Sequence, residues 1–182
     1  MGVSLVVMPL GSFPLDDAWA VAGEVKSRTP VDIRVAVSPW RITLPLTLYE
    51  WGRMQFRADL VVEYLYDSLG GVEARRRLVL GLSEADGFIP GFNYVFGLAD
   101  PGRGVGVVFT ARLRQGVGRE KYIERVVKEA LHELGHLLGL GHCENRECVM
   151  SYSNSLAEVD AKSGRFCRKC ELRLREIVGD KS

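Results

Sequence analysis

The three histidines of this chain all fall within one short run, His132-Glu133-Leu134-Gly135-His136-Leu137-Leu138-Gly139-Leu140-Gly141-His142. The spacing dictates a local shape. Residues four apart on a helix project from one face a turn apart, so His132 and His136 can both reach a zinc ion about 2.0 to 2.1 Å away. Gly139 can take the left-handed conformation that closes a helix without a Cβ penalty, which lets the chain reverse and bring His142 back to the same ion. Three neutral nitrogen donors leave a fourth tetrahedral position for water, the arrangement of a catalytic zinc. Glu133 is then the natural general base: zinc lowers the pKa of a bound water to about 7, and the carboxylate takes a proton as a carbonyl is attacked and returns it to the leaving amine. A bare HExxH run also arises on helices by chance. The third histidine at this spacing, with no histidine elsewhere in the chain, argues against chance here.

Four cysteines follow, Cys143 and Cys148 with four residues between them, Cys167 and Cys170 with two. The second spacing is that of a zinc knuckle, and four thiolates make a closed tetrahedral site that serves structure, not catalysis. Cys143 directly follows His142, so a zinc held by these thiols also anchors the loop carrying the third histidine. A redox pair at Cys167 and Cys170, or an iron-sulfur cluster on all four, are the alternatives. Disulfides are disfavoured for a chain read as cytoplasmic, since the apolar run Val3 to Met8 has no basic residue before it and is cut short by Pro9, Gly11 and Pro14.

The remainder reads as one domain over residues 1–182, with an upper subdomain of residues 1–139 ending in the histidine helix and a lower subdomain of residues 140–182. Val3 to Met8, Val31 to Val37 and Leu78 to Leu82 have the Val/Ile/Leu content of buried strands, with helical periodicity in Leu15 to Lys26 and Met54 to Leu69 between them. That alternation predicts a mostly parallel twisted sheet, α/β (α+β) in class. Asn93 to Leu98 and Gly104 to Leu113 predict a hairpin that puts an antiparallel strand at the sheet edge, and a helix is expected from about Glu120 to Leu138. Ser151 to Gly164 is polar and is expected to be loop, with a short helix from Glu171 to Val178. So little apolar material in the lower subdomain calls for a metal staple.

From Glu129 to Cys170 the pattern HExxHxxGxxHC, then C-x-M, then C-x-x-C resembles the archaemetzincin family. The resemblance implies a metzincin-like zincin fold: the mixed sheet above, the active-site helix beneath it, and a small zinc-stapled C-terminal subdomain across a cleft. It implies that Met150 forms the Met-turn under the three histidines, although an ordinary apolar role would also suit that residue. It implies that Tyr152 stands where a hydroxyl can stabilise the transition state, packing on the Met-turn being the simpler alternative. It further implies that a peptide pairs with the edge strand by strand addition. Phe88, Phe92, Tyr94 and Phe96 make that region aromatic, equally consistent with packing on the helix below. No prosegment precedes the sheet, so narrow substrate choice is expected.

The function expected is therefore a zinc metallopeptidase with two zinc ions per chain, one catalytic and one structural, acting as a monomer on peptide or protein substrates. The alternative is a zinc-stabilised peptide-binding module with little or no hydrolytic activity, from which Glu133 is the discriminator. Lys plus Arg number 24 against 23 Asp plus Glu, so no field of either sign favours nucleic acid or membrane as partners.

Overall fold

In a computed structural model, residues 3–71 and 77–179 are described. A five-stranded sheet carries the upper subdomain, in the order β2 (Ile33–Val37), β1 (Val3–Pro9), β5 (Arg77–Ser83), β8 (Val105–Phe109), β7 (Gly97–Asp100). The first four strands are parallel and β7 is antiparallel to β8 at the edge. The mixed, mostly parallel sheet expected from the sequence is present, and its near-continuous apolar strands follow from cover on both faces.

Two helices supply that cover on opposite sides. α1 (Leu15–Arg28) buries Ala18, Val21, Ala22 and Val25 with the residues that line α3 (Arg119–Leu137), while α2 (Ala58–Ser68) buries Ala58, Val61, Val62 and Leu65 in a second cluster with Val79, Val105 and Phe109. Their spacing at three and four residues is the amphipathic helix pattern. α2 begins later than the periodicity from Met54 suggested. Met54 takes a left-handed φ of 56° in a tight turn, and Gln55–Arg57 form β4 of a small sheet with β3 (Tyr49–Glu50) and β6 (Gly87–Phe88). The edge strand is also shifted, Gly97–Asp100 instead of Asn93–Leu98. Val95 bridges to Gly87 of the small sheet, and only from Phe96 onward does the backbone join the ladder with Phe109.

The lower subdomain holds more structure than its polarity suggested. α4 (Leu156–Ala161) starts at Ser155, whose hydroxyl accepts from the Glu158 backbone N–H. α5 (Arg168–Val178) starts at Cys167. Val149, Met150, Val159, Phe166 and Leu174 are all buried and continue the main core downward. Charges from α3 tie the lobes together: Arg125 makes a bidentate pair with Asp160, and Lys128 Nζ donates to the carbonyls of Val159 and Asp160 near the end of α4. A third link, Lys162 Nζ to Glu129 Oε1 at 3.2 Å, is buried at both ends.

Candidate metal centre and catalytic site

α3 ends in a Schellman turn. Gly139 has φ of 98°, its N–H bonds to the His136 carbonyl and the Leu140 N–H reaches back to Gly135 O, the paired bonds that satisfy the last carbonyls of a helix. This reversal gathers the histidines. The rings of His132 and His136 lie 4.6 Å apart, those of His132 and His142 5.3 Å, and those of His136 and His142 4.8 Å, between centroids. His132 Nδ1 donates to Val149 O and His136 Nδ1 to Leu140 O, both at 2.9 Å. A carbonyl only accepts, so both protons sit on Nδ1 and both Nε2 atoms carry lone pairs. Those two Nε2 atoms face each other at 3.1 Å. Two lone pairs this close repel unless a cation lies between them, and tetrahedral Zn–N bonds of about 2.05 Å put neighbouring donors roughly 3.3 Å apart. Burial lowers the proton affinity of all three imidazoles, which keeps them in the neutral, ligating form.

The thiols pass the same test. All four are free of disulfides, with Cys143 and Cys167 Sγ at 3.8 Å and Cys148 and Cys170 Sγ at 3.7 Å. A tetrahedron with Zn–S of about 2.3 Å has edges of roughly 3.8 Å. Although burial alone would raise the Cys167 thiol, the backbone N–H of Cys170 and the neighbouring sulfurs bring it down to about 7. The Cys143 N–H donates to Met150 O, so the backbone joins the thiol group to the segment that supplies Val149 O to His132. The two groups of candidate ligands are thus mechanically connected, each with its donor atoms within 4.8 Å of one another.

Glu133 lies on the cleft side of α3, only 4% exposed. Burial, reinforced by Glu129 one turn earlier and opposed by Lys162, raises its proton affinity well above that of an ordinary carboxylate. Opposite it stands Gly97, the first residue of the edge strand. A Cβ there would fall 2.4 Å from Glu133 Oε1, so only glycine leaves the carboxylate its place. Met150 is fully buried against α3, its Sδ so close to Gly135 that a Cβ on that glycine would meet it at 2.2 Å. The Tyr152 ring packs against His142 at 5.1 Å and is 46% exposed.

A cleft of about 890 Å³ runs between the edge strand and the lower lobe and is lined by Glu133, His132, His136, His142, Tyr152 and the 91–99 segment, among others. The three histidines, Glu133, Tyr152, Phe92, Tyr94 and Phe96 line this cleft and the four cysteines form the thiol group, whereas Met150 lies in the core against Gly135 and Phe88 is buried in the small sheet. Gly97 and the Glu129–Lys162 pair also belong to the site and were not found from the sequence. Ser153 and Asn154, read from the sequence only as loop, line the cleft too. Glu129 and Lys162 are 33 residues apart, with no local pattern to join them. Among the described residues, no helix is long and apolar enough to cross a membrane.

Comparison with known proteins gives this arrangement its context. The model of the family described as Peptidase family M54 matches residues 30–176. An archaemetzincin of Aeropyrum pernix is 43% identical over 172 residues, 94% of this chain and 93% of that protein. The crystal structure of archaemetzincin from Methanopyrus kandleri superposes with a TM-score of 0.82 at 39% identity, over 98% of this chain and 96% of that one. A structure described as a zinc-dependent peptidase, from Methanocorpusculum labreanum, superposes with a TM-score of 0.81 at 28% identity, over 95% of this chain and 100% of the other.

Proposed function

We propose, for a chain that belongs to peptidase family M54 and is therefore a zinc metallopeptidase acting on peptide or protein substrates, that Glu133 is its general base and that His132, His136 and His142 hold its catalytic zinc. The observation that carries the reading is the pair of proton-free Nε2 atoms facing each other at 3.1 Å beside a buried carboxylate. A zinc ion bound there supplies Lewis acidity, activating water and polarising a carbonyl.

The protein's own residues do the rest. Val149 O and Leu140 O hold the His132 and His136 rings through Nδ1–H, fixing tautomer and orientation. Glu133 holds a proton readily because it is buried, which suits a base that must take a proton from water and deliver it to the leaving amine nitrogen. The glycine at position 97 keeps that carboxylate free to do so. Tyr152, held against His142, offers a hydroxyl donor to the developing oxyanion; Tyr152→Phe lowering kcat with KM unchanged is the expected signature.

Cys143, Cys148, Cys167 and Cys170 hold a second, structural zinc, so each chain carries two. Free thiols in such a group suit a reducing compartment, the cytoplasm. Residues 1–139 and 140–182 act as the two lips of one catalytic domain. The reading is tested on the purified protein by metal analysis and peptide hydrolysis together. His132→Ala should lose one zinc of two and all hydrolysis, and Glu133→Gln should lose hydrolysis while retaining both metals. Full hydrolysis by either variant would overturn it.

A further inference from the structure

The cleft does not end where the lobes touch. The Tyr94 hydroxyl donates across it to the backbone carbonyl of Asn154 in the lower lobe, and on the upper lobe the lining continues beyond that contact through Ile89, Gly91, Phe92 and Asn93. Ile89 to Phe92 form a β-turn. The Phe92 N–H donates to Ile89 O at 3.0 Å across Pro90 and Gly91, and Gly91 has a φ of 90°, the left-handed value that this position of a type II turn requires. The turn leaves the Phe92 side chain 47% exposed at this end of the cleft.

A second turn is fastened to the first. Trp51 to Met54 join β3 to β4, and Arg53 ties this turn down: its Nη2 donates to the carbonyls of Phe92 at 3.0 Å and Asn93 at 2.8 Å, its Nε to Gln55 Oε1, and its guanidinium lies 4.2 Å over the Phe88 ring. Gln55 Nε2 adds a bond to Asn93 O and one to Asp86, which Arg112 also holds. The charged groups between the turns are thus engaged, and what the second turn gives to solvent is apolar, Trp51 at 68% and Met54 at 72% exposure. Single exposed apolar side chains are ordinary on a protein surface. Three of them on two tied turns at the end of a cleft make a patch of the kind that marks an interaction site. At Met54 the backbone φ of 56° is one that glycine or asparagine takes more readily. Packing does not account for a methionine so exposed there, whereas a flexible thioether suits adaptable contact with varied side chains.

We propose that Trp51, Met54 and Phe92 are specificity-determining residues that take an apolar stretch of the substrate polypeptide lying away from the scissile bond. The protein then selects chains that expose Leu- and Phe-like side chains over short or polar ones. The inference rests on the peptidase reading above, which makes a polypeptide the occupant of the cleft that this patch continues.

The test uses the zinc-loaded protein and one peptide that binds the metal-retaining Glu133→Ala variant, extended at either end by a short Leu/Phe-rich or Ser/Gly-rich segment of equal charge. Binding is read by titration of Glu133→Ala, and cleavage by the wild type is read separately by mass spectrometry. At one end the Leu/Phe extension should improve both on the order of tenfold or more over the Ser/Gly extension, as partial burial of one or two large apolar side chains supplies. The double variant Trp51→Ser, Met54→Ser should bring the two peptides together. Replacing the exposed Trp19 and Trp40 by Phe leaves Trp51 as the sole tryptophan of the chain, and its emission should move to the blue when the Leu/Phe-extended peptide binds. Equal binding of the two extensions to Glu133→Ala, or Trp51 emission unmoved by the apolar one, would overturn the inference. So would self-association of the wild type that is lost in the double variant, with no preference between the peptides. Preferential binding with no cleavage by the wild type would instead uphold the patch and overturn the hydrolytic reading.

Discussion

Adding one methyl group at Gly97 should inactivate the protein without touching a metal ligand. In Gly97→Ala the new Cβ stands 2.4 Å from Glu133 Oε1 and 2.8 Å from Cδ and Cγ, where ordinary contacts begin near 3.4 Å. The backbone at Gly97 is not left-handed, so alanine meets no strain of its own and the overlap must be relieved by moving the carboxylate about 1 Å or by parting β7 from α3. Overpacking of this kind costs about 1–3 kcal/mol of stability, and a reacting group displaced by about 1 Å loses on the order of a hundredfold in rate. The assay is a double-mutant cycle with Glu133→Ala, which removes the group the methyl meets. Thermal or denaturant unfolding should show Gly97→Ala destabilising the wild type and nearly neutral in the Glu133→Ala background. kcat/KM should fall in the single variant with both zinc ions retained. Equal destabilisation in both backgrounds, or wild-type kcat/KM in Gly97→Ala, would refute the reasoning.

Three further outcomes are expected. Lys162→Ala leaves Glu129 as an uncompensated buried carboxylate and should destabilise by about 3–5 kcal/mol, recovered partially by Glu129→Gln added to it, as measured by denaturant unfolding. Asp160 is held down to about 2 by its hydrogen bonds and charge pairing with Arg125 and Lys121 against the opposing effect of burial. A depressed carboxylate stabilises the fold above its unfolded value near 3.8 and loses that contribution as pH falls towards about 2. Asp160→Asn should thus cost on the order of 1 kcal/mol at pH 7, after solvent screening, and nothing near pH 2, in a pH series of unfolding midpoints. Cys167→Ser should cut the bound zinc from two to one per chain and lower the affinity of the remaining ion, because the Cys143 loop carries His142; unchanged stoichiometry by metal analysis would contradict this.

The histidine cluster is legible in the sequence because its geometry is local: two histidines one helical turn apart, and a glycine whose φ of 98° permits the return of the third. The parallel sheet was legible for the same reason, each strand being a short apolar run between helical periods. The edge strand was misplaced because Phe92, Tyr94 and Phe96 alternate as strand residues do, yet that segment bridges the small sheet at Val95 and crosses the cleft at Tyr94 before it joins the ladder. The polarity of residues 151–164 predicts loop, yet α4 forms there because Ser155 and Glu158 make the Ser-x-x-Glu capping pair that marks a helix start. The start of α2 was obscured by Met54, whose left-handed turn no periodicity reveals. What could not be read at all was contact between distant segments: Gly97 against Glu133, Lys162 in the core against Glu129, and the Tyr94 bridge to Asn154. Each is set by how two lobes close on each other, and a one-dimensional pattern carries no record of that.

The central claim, that this centre hydrolyses peptide bonds with Glu133 as base, is tested most directly by incubating the zinc-loaded protein with a diverse peptide library beside Glu133→Ala that retains its metal, and reading all new termini by mass spectrometry. The account predicts new termini with the wild type that vanish in the variant. Cleavage that persists in Glu133→Ala, or none by the wild type with both zinc ions present, would contradict it.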